Sequence, residues 1–545
     1  MTSFRRRYWF AGGALLLAFV CLLPCLLQGP SPYDEGIMVE GAVRTAHGAL
    51  PYRDFYAIYA PGGFYALAAI FRLFGPSLLV ERIWRALVRF AVCLVVYAIS
   101  RRFVSRTASY LACLLTALVL QTGLSFGFLP EAMFWSLLGV LVLLLAYPVE
   151  GLEGVFLSGA ATGVETLFRH EMGVYTCFSA ALAMVLFSML KRQRARFTLK
   201  ALLTYGSGVS AIVVPALIGL VRTVPPADLR TDFLDFPRIQ TQFRLGGLPP
   251  LLPNLYFFTS QHMAAYDWFG FYAPIAVLLI SWIGLVRRRR NREAAGDGQE
   301  ELFGWILLTV LGSSFVMRGA IRQHSELMTV PAIILLPLLL GKSLPGNWRG
   351  WSAKPVRVAL LVLAVGYAGT QLALNRYLLA NLVRHTREGT SSLARARGFY
   401  VDPEMEATVR YIEQNVPDGE AIYVGNAQHH QVFVNDAIIY FLAGRRPGTR
   451  FHDLIPGVIT TAPVQREVIC DLARNQVDYI VINTDRGLAR FEGQPSTDSG
   501  VGLLDDFLSS QYKETRTFGS YSVRERIRIR ERIAGAPPAG GNPCH

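Results

Sequence analysis

The chain has 545 residues, of which 52% are hydrophobic and only 17% are charged. A soluble protein of this length needs more charge at its surface, so the composition excludes an ordinary soluble globular protein and indicates that most of the chain lies in lipid. The formal net charge is +14. Because the arginines and lysines fall in short clusters between apolar runs, this charge indicates membrane topology and not binding to nucleic acid.

Apolar runs of the length of a membrane helix, about 20 residues, recur along the first two thirds of the chain. They lie near residues 8–28, 79–100, 107–126, 129–147, 154–169, 173–190, 199–221, 271–286, 301–317, 326–341 and 356–375. The sequence therefore predicts a polytopic α-helical membrane protein, with about eleven transmembrane helices within residues 1–375.

Basic clusters test this topology, because short cytoplasmic loops carry the excess of lysine and arginine. The clusters lie at Arg5–Arg7, Arg101–Arg106, Lys191–Arg196, Arg287–Arg292 and Lys342–Arg357. All of them fall on one side if each apolar run crosses the membrane once. This predicts a cytoplasmic N-terminus and assigns residues 29–78, 222–270 and 318–325 to the outer face, together with the C-terminal segment.

The pattern changes after about residue 375, where apolar runs shorten to strand length and alternate with helical stretches. The predicted strands include Ala421–Val424 and Tyr479–Ile482, and the predicted helices include Glu404–Glu413 and Val464–Arg474. We expect a soluble α/β domain over residues 376–535, on the outer side of the membrane. Residues 536–545 are expected to form a loose tail.

The first outer loop carries the most informative residues. It is rich in aromatic residues, glycine and proline, and its apolar piece Phe64–Phe74 is too short to span, as expected of helices at the membrane interface. Asp34 and Glu35 are adjacent acids just after the first run. A carboxylate beside an apolar wall can have a raised pKa and accept a proton from a sugar hydroxyl. The same two acids could merely solvate a helix end, and the spacing leaves both interpretations open.

Four short motifs of this loop resemble the opening of bacterial membrane glycosyltransferases of the GT-C class. The motifs are Tyr33-Asp34-Glu35-Gly36, Tyr52-Arg53-Asp54-Phe55, Pro61-Gly62-Gly63-Phe64-Tyr65 and Phe71-Arg72-Leu73-Phe74-Gly75. These enzymes are similar to the protein O-mannosyltransferase and aminoarabinose transferase superfamily, which is glycosyltransferase family 39-like. The whole chain shares their plan of an acidic first outer loop, about eleven spans and an outer C-terminal domain.

The resemblance implies the GT-C fold and gives roles to residues of this loop. It implies that Asp34 is the catalytic base, with Glu35 as the second choice. It also makes Arg53, Asp54 and Tyr59 candidates for substrate binding.

Glu131 lies in the second outer loop, where the next helix begins. The resemblance implies an acid here that helps to orient the acceptor or a metal. A carboxylate favoured by the dipole at a helix N-terminus is an equally good interpretation.

Arg169, His170 and Glu171 interrupt an apolar stretch at the predicted outer end of a span. Titratable and charged groups are costly there unless they line a wet cavity, where they could contact the phosphate or sugar of a donor. A tight reversal between two helices would also place them in water.

Arg318, Arg322 and His324 lie in a late outer turn, where the topology does not call for basic residues. Arginine offers a bidentate, permanently charged clamp for a lipid phosphate, and the histidine could add a hydrogen bond. Related transferases have an acid between the arginine and the histidine, whereas this chain has Gln323.

The predicted function is transfer of a sugar from a polyprenyl-phosphate-linked donor to an acceptor hydroxyl on the outer face of the membrane, with inversion and an aspartate base. The acceptor could be a glycan, a lipid or a protein. No metal site and no certain cofactor are predicted, although a divalent cation is possible. The predicted location is the bacterial inner membrane, with membrane lipids as neighbours. The alternative is a transporter or flippase of lipid-linked saccharides, which would keep ionisable groups at mid-bilayer depth. A second alternative is a non-catalytic assembly protein that uses the outer α/β domain as a binding module.

Overall fold

The computed structural model describes residues 16–24, 26–122, 128–235, 238, 251, 264–290, 298–319, 326–340, 353–431, 434–455, 457–484 and 498–527. The chain divides into two compact units. Unit 1 comprises Met1–Leu27, Ile83–Gly219 and Gly247–Leu382, and unit 2 comprises Gln28–Arg82, Leu220–Gly246 and Val383–His545. Unit 2 therefore joins three stretches that are far apart in the sequence, and the acidic first loop is one of them.

The helices are, in chain order, α1 (Asp34–Ala46), α2 (Pro61–Phe74), α3 (Leu78–Ser100), α4 (Arg106–Thr122), α5 (Leu129–Ala146), α6 (Leu152–Phe168), α7 (His170–Lys191), α8 (Ala195–Thr223), α9 (Pro226–Arg230), α10 (Ala264–Arg290), α11 (Gln299–Gly319), α12 (Glu326–Leu340), α13 (Ala353–Glu388), α14 (Pro403–Asn415), α15 (Ile438–Ala443), α16 (Ala462–Arg474) and α17 (Leu503–Gln511). A 3₁₀ turn (Tyr147–Val149) extends α5, and a π-helical turn (Thr231–Asp235) follows α9.

Every predicted span coincides with helix in the described part of the chain, including residues 16–24 of the first run. Among the described residues, six helical stretches are long and apolar enough to cross a membrane by length and composition. They are Leu78–Ser100, Leu129–Val149, His170–Lys191, Ala195–Thr223, Asp267–Arg287 and Pro355–Glu388. The membrane character of the chain is thus confirmed, while the count of eleven spans stays a prediction.

Helices α8 and α13 show why these segments require lipid. Large apolar side chains such as Leu203 and Val221 in α8 and Val362 and Val365 in α13 are exposed on the helix surface. Such contiguous apolar surface is unfavourable in water and favourable against hydrocarbon. Lipid is therefore the environment that these two helices fit.

The C-terminal part of unit 2 contains a five-stranded mixed sheet. Its strands are β1 (Ala421–Asn426), β2 (Arg446–Pro447), β3 (Tyr479–Asn483), β4 (Tyr512–Phe518) and β5 (Tyr521–Arg526), in the spatial order β2-β1-β3-β5-β4. The first three strands are parallel, whereas β5 pairs antiparallel with both β3 and β4. Strand β1 is buried along its whole length and β4 is largely exposed and polar, as expected of a central strand and an edge strand.

The predicted strands and helices of the C-terminal segment are confirmed, and the β4–β5 hairpin adds to them. The apolar core beside the sheet includes Tyr423, Ile480 and Leu508, and it also includes Tyr56 of the first loop. A loop residue therefore completes the core of the C-terminal segment. The predicted linear domain boundaries at residues 375 and 535 are not tested, and the predicted tail lies outside the described residues.

Candidate active site

Asp34 is the first residue of α1, where a carboxylate is favoured by the helix dipole. Its side chain is half-buried. The Tyr59 hydroxyl donates a hydrogen bond to Asp34 Oδ1 over 2.9 Å, and the Tyr52 hydroxyl in turn donates to the Tyr59 carbonyl oxygen over 2.8 Å. Two tyrosines of the same loop therefore fix the position of one carboxylate oxygen of Asp34.

Glu35 is fully buried, and its surroundings differ from those of Asp34. Arg82 Nε lies 2.7 Å from Glu35 Oε1, and Arg82 Nη2 donates to Glu35 Oε2 over 2.7 Å. The backbone nitrogen of Ser31 donates to Oε2 as well, over 2.8 Å. Glu81 lies 3.4 Å from the same guanidinium. These contacts give Glu35 a role in anchoring the start of α1 to the start of α3.

Gly36 lies where α1 approaches the C-terminal segment within unit 2. A Cβ atom at this position would overlap the backbone of Ala437 and Ile438. The Ile438 nitrogen donates a hydrogen bond to the Pro32 carbonyl oxygen over 3.0 Å. The glycine of the Tyr-Asp-Glu-Gly motif is thus required by close packing between two segments 400 residues apart.

Asp453 is a fully buried acid of the same unit that the sequence did not point to. Neither of its carboxyl oxygens has a hydrogen-bond partner among the described residues. Burial is the main cause that raises the pKa of Asp453 to about 8; the nearby Tyr33 hydroxyl acts to lower this pKa and the charge of Asp34 acts to raise it. No local sequence pattern marks this residue, because the groups that influence its carboxyl, Tyr33 and Asp34, are more than 400 residues away in the sequence.

Asp232 is a second buried acid of unit 2, and it lies beside a cation. It belongs to the π-helical turn after α9, and burial raises its pKa to about 8, while Arg450 lowers that pKa and Asp228 raises it. Arg450 Nη1 lies 2.8 Å from Asp228 Oδ1, and Arg450 Nη2 donates to the Tyr52 carbonyl oxygen over 2.8 Å. Arg450 thereby connects three separate segments of unit 2.

Arg53 and Asp54 form an ion pair at the surface of the loop, with 2.8 Å between Arg53 Nε and Asp54 Oδ1. The Leu50 nitrogen donates to Asp54 Oδ2 over 2.7 Å, and Arg44 donates to the Asp54 carbonyl oxygen over 2.6 Å. These bonds hold the tight turn between α1 and α2. The prediction that Arg53 and Asp54 bind substrate is not tested.

Glu131 belongs to unit 1 and is buried in the first turn of α5. The Trp84 indole donates a hydrogen bond to Glu131 Oε1 over 3.1 Å, and Arg85 and Arg89 of α3 interact with the carboxylate electrostatically. Both arginines are buried. Neither arginine was predicted from the sequence, although two arginines four residues apart in an apolar run are a signal of a functional polar site.

Arg169, His170 and Glu171 lie at a one-residue junction, because α6 ends at Phe168 and α7 begins at His170. Arg169 is buried, and its Nη1 lies 3.0 Å from Glu171 Oε1, whereas the His170 side chain is 45% exposed. The structure contains the tight reversal that the sequence allowed. The proposed contact of these residues with a donor is not tested.

The late outer turn lies largely outside the described residues. Helix α11 ends at Gly319, and the side chain of Arg318 and all of Arg322 and His324 fall outside the description. Their predicted contact with phosphate therefore stays a prediction. Among the residues that the structure does describe, there is no group of three or more His, Cys, Asp or Glu side chains that could hold a metal ion.

Comparisons with known proteins found one matching family model and several solved structures of similar fold. The family model described as dolichyl-phosphate-mannose-protein mannosyltransferase matches residues 59–218. No curated protein matches the sequence significantly. The apo structure of ArnT from Cupriavidus metallidurans is 15% identical over 98% of this chain and 100% of that chain, with a TM-score of 0.51. This chain therefore shares its fold over nearly its whole length.

Two further solved structures match with lower TM-scores. ArnT from the same organism bound to undecaprenyl phosphate is 15% identical over 97% of this chain and 99% of that chain, with a TM-score of 0.49. The oligosaccharyltransferase AglB from Archaeoglobus fulgidus, in complex with an inhibitory peptide and a dolichol-phosphate, is 13% identical over 88% of this chain and 70% of that chain, with a TM-score of 0.48.

Proposed function

We propose that this chain transfers a sugar from a polyprenyl-phosphate-linked donor to an acceptor hydroxyl. The family match and the shared fold make the chain similar to GT-C class membrane glycosyltransferases. The resemblance seen in the first outer loop is thereby confirmed. The name of the matching family describes a mannose joined to a lipid phosphate, and this name supports a donor of that chemical class.

Asp34 is the base of the proposed reaction. It takes the proton of the acceptor hydroxyl while the oxygen attacks the anomeric carbon of the sugar. The new carbon–oxygen bond forms as the bond from the anomeric carbon to the phosphate oxygen breaks, and the polyprenyl phosphate leaves with the electron pair. Attack from the face opposite to the leaving group inverts the configuration of the sugar.

The observation that carries this role is the position of Asp34. Its carboxylate stands half-buried at the start of α1, with one oxygen fixed by the Tyr59 hydroxyl. A general base has to be held within hydrogen-bond reach of the proton that it removes. Glu35, by contrast, is engaged by Arg82 and is fully buried, so Asp34 is the better candidate of the two adjacent acids.

The phosphate of the donor requires cations, and arginine is suited to bind it in a bidentate manner. We assign this contact to Arg318 or Arg322, with a hydrogen bond from His324. Arg85 and Arg89 are further candidates because both are buried within an apolar helix beside Glu131. Glu131 then orients the acceptor or the arginines.

The proposed location of the reaction is the outer face of the bacterial inner membrane, with membrane lipids around the spans. The support for this orientation is the distribution of basic clusters, which fall on the side opposite to the first loop. The acceptor is a hydroxyl of a glycan, a lipid or a protein.

The test compares wild type with Asp34→Asn in lipid nanodiscs, supplied with a panel of polyprenyl-phosphate sugars and candidate acceptors. Loss of a general base costs about 10²–10⁴-fold in turnover, and we expect a loss of this size with an unchanged melting temperature. The matched control is Asp418→Asn, which changes the same residue type at a site 97% exposed and should leave turnover intact.

Turnover by Asp34→Asn at the wild-type rate would remove Asp34 as the base. Movement of the lipid-linked sugar across the bilayer by wild type, without formation of a glycosidic product, would favour the transporter instead.

A further inference from the structure

Tyr52 has an unfavourable backbone conformation in the turn between α1 and α2. Its φ angle is 70°, in the left-handed region, and its large side chain is only 2% exposed. A residue other than glycine adopts this conformation at a cost in free energy, and the conformation persists only where surrounding contacts determine it. Because such positions cluster at functional sites, the contacts of Tyr52 indicate what the turn is held for.

Three hydrogen bonds hold Tyr52 in place within unit 2. The Tyr52 nitrogen donates to the Phe55 carbonyl oxygen over 2.8 Å, and Arg450 Nη2 donates to the Tyr52 carbonyl oxygen over 2.8 Å. The Tyr52 hydroxyl donates to the Tyr59 carbonyl oxygen over 2.8 Å. This last bond fixes the residue that holds the proposed base, because the Tyr59 hydroxyl donates to Asp34 Oδ1 over 2.9 Å.

Arg450 is itself held by both its side chain and its backbone. Arg450 Nη1 lies 2.8 Å from Asp228 Oδ1 and 3.4 Å from Glu467 Oε1. The Arg450 nitrogen donates to Asp471 Oδ2 over 2.9 Å, and the Arg450 carbonyl oxygen accepts a hydrogen bond from the Tyr56 nitrogen over 3.2 Å. The side chain is 16% exposed, so its ion pairs are screened less than those of a surface arginine. The guanidinium is thus a fixed point for the turn.

We propose that Arg450 is a positioning residue for Asp34. Its guanidinium joins the Asp228 carboxylate to the Tyr52 carbonyl oxygen. The Tyr52 hydroxyl then holds the Tyr59 backbone, so that the Tyr59 hydroxyl remains hydrogen-bonded to Asp34 Oδ1. The inference rests on the proposed role of Asp34 as the base. It gives α9, which carries Asp228, and the C-terminal segment a part in positioning that base.

The position of a base has to be defined closely. A general base acts within hydrogen-bond reach of the proton, and a misplacement of about 1 Å can cost on the order of a hundredfold in rate. Arginine suits this task because its planar fork donates to two acceptors at fixed angles, whereas lysine carries a compact point charge. Arg450→Lys can therefore keep the ion pair with Asp228 and lose the hydrogen bond to Tyr52.

The experiment measures kcat and KM in nanodiscs for wild type, Arg450→Lys and Tyr52→Phe, each also combined with Tyr59→Phe. Alone, both variants should lower kcat by roughly three- to tenfold, and by no more than Tyr59→Phe does, because they act through the Tyr59 hydroxyl. KM should stay within about twofold of wild type. In the Tyr59→Phe background neither change should lower kcat further, whereas a residue that only stabilises the fold would lower kcat equally in both backgrounds.

Arg446→Lys and Tyr65→Phe are the matched controls. Arg446 is an exposed arginine of the same C-terminal segment, and its Nε donates to the Gly419 carbonyl oxygen. Tyr65 belongs to α2 and is 48% exposed. Both controls should keep the kcat of the background in which they are made. Wild-type kcat in Arg450→Lys, or an equal loss by this variant with and without the Tyr59 hydroxyl, would overturn the proposal.

Fluorine NMR provides a measurement that does not depend on activity. A fluorotyrosine in place of Tyr59 reports the surroundings of that ring. Its resonance should shift or broaden in Arg450→Lys and stay unchanged in Arg446→Lys. An unchanged resonance in Arg450→Lys overturns the inference whatever the turnover. Absence of turnover in wild type with every donor overturns the proposed function and the positioning role with it, even where the resonance shifts.

Discussion

Asp34 and Glu35 are adjacent in the sequence, yet their side chains have different surroundings within unit 2. Asp34 accepts a hydrogen bond from the hydroxyl of Tyr59, whereas Glu35 is enclosed by the guanidinium of Arg82 and a backbone N–H. A buried carboxylate that is paired with arginine is held by the fold and is poorly placed to accept a further proton. The difference shows how one dipeptide can supply a structural anchor, Glu35, and a candidate base, Asp34.

The largest effect is expected from breaking the anchor. Arg82→Met would leave the buried carboxylates of Glu35 and Glu81 without the guanidinium that now lies 2.7 Å and 3.4 Å from them. Removing one partner of a buried ion pair costs about 3–5 kcal/mol, so we expect a large fall in the melting temperature of the purified protein. This would be measured by thermal unfolding in detergent or nanodiscs.

The matched variant is Arg82→Met combined with Glu35→Gln, which removes the charge that Arg82 compensates. It should recover part of the lost stability. Equal melting temperatures for wild type and Arg82→Met would show that the contact between Arg82 and Glu35 does not stabilise the fold. Glu35 would then no longer differ from Asp34 as a structural anchor.

A smaller effect is expected from removing the hydrogen bond to Asp34, the proposed base. Tyr59→Phe removes the hydrogen bond to Asp34 Oδ1 and leaves the ring in place. A hydrogen bond to a charged group contributes about 1.5–3 kcal/mol, so turnover should fall roughly ten- to a hundredfold, with little change in melting temperature. Turnover by Tyr59→Phe equal to that of wild type would mean that the hydroxyl does not position the base.

The smallest effect is expected at Arg53, whose ion pair with Asp54 lies at the surface and is screened by solvent. Arg53→Gln should leave the melting temperature unchanged. The change nevertheless tests whether Arg53 binds substrate, because replacing a substrate-binding residue should raise KM for the donor or acceptor without affecting stability. An unchanged KM would mean that Arg53 has only a structural role, in the turn between α1 and α2.

Much of the fold followed from simple physical constraints on the sequence. Runs of about 20 apolar residues predicted the positions of the long helices because only a helix satisfies its backbone in hydrocarbon. Helix α13 shows the limit of this argument, since it continues to Glu388, well past the predicted span end at residue 375. Hydropathy predicts where a run of residues can lie in lipid, and it does not determine where the helix ends.

The candidate site was predictable in part for the same kind of reason. Asp34 stood out because its motif is contiguous, and Arg85 and Arg89 could have been found from their spacing within an apolar run. The buried acid Asp453 could not, because burial of an acid by distant segments leaves no trace in its immediate sequence neighbours.

Gly36 imposes a rule on how related sequences can diverge. The space beside its Cα is filled by the backbone of Ala437 and Ile438, so even a methyl group has no place there. A descendant that acquires alanine at position 36 must also have displaced the chain at 437–438. Substitutions at these distant positions are therefore coupled, and the first loop and the C-terminal segment are constrained to evolve as a pair.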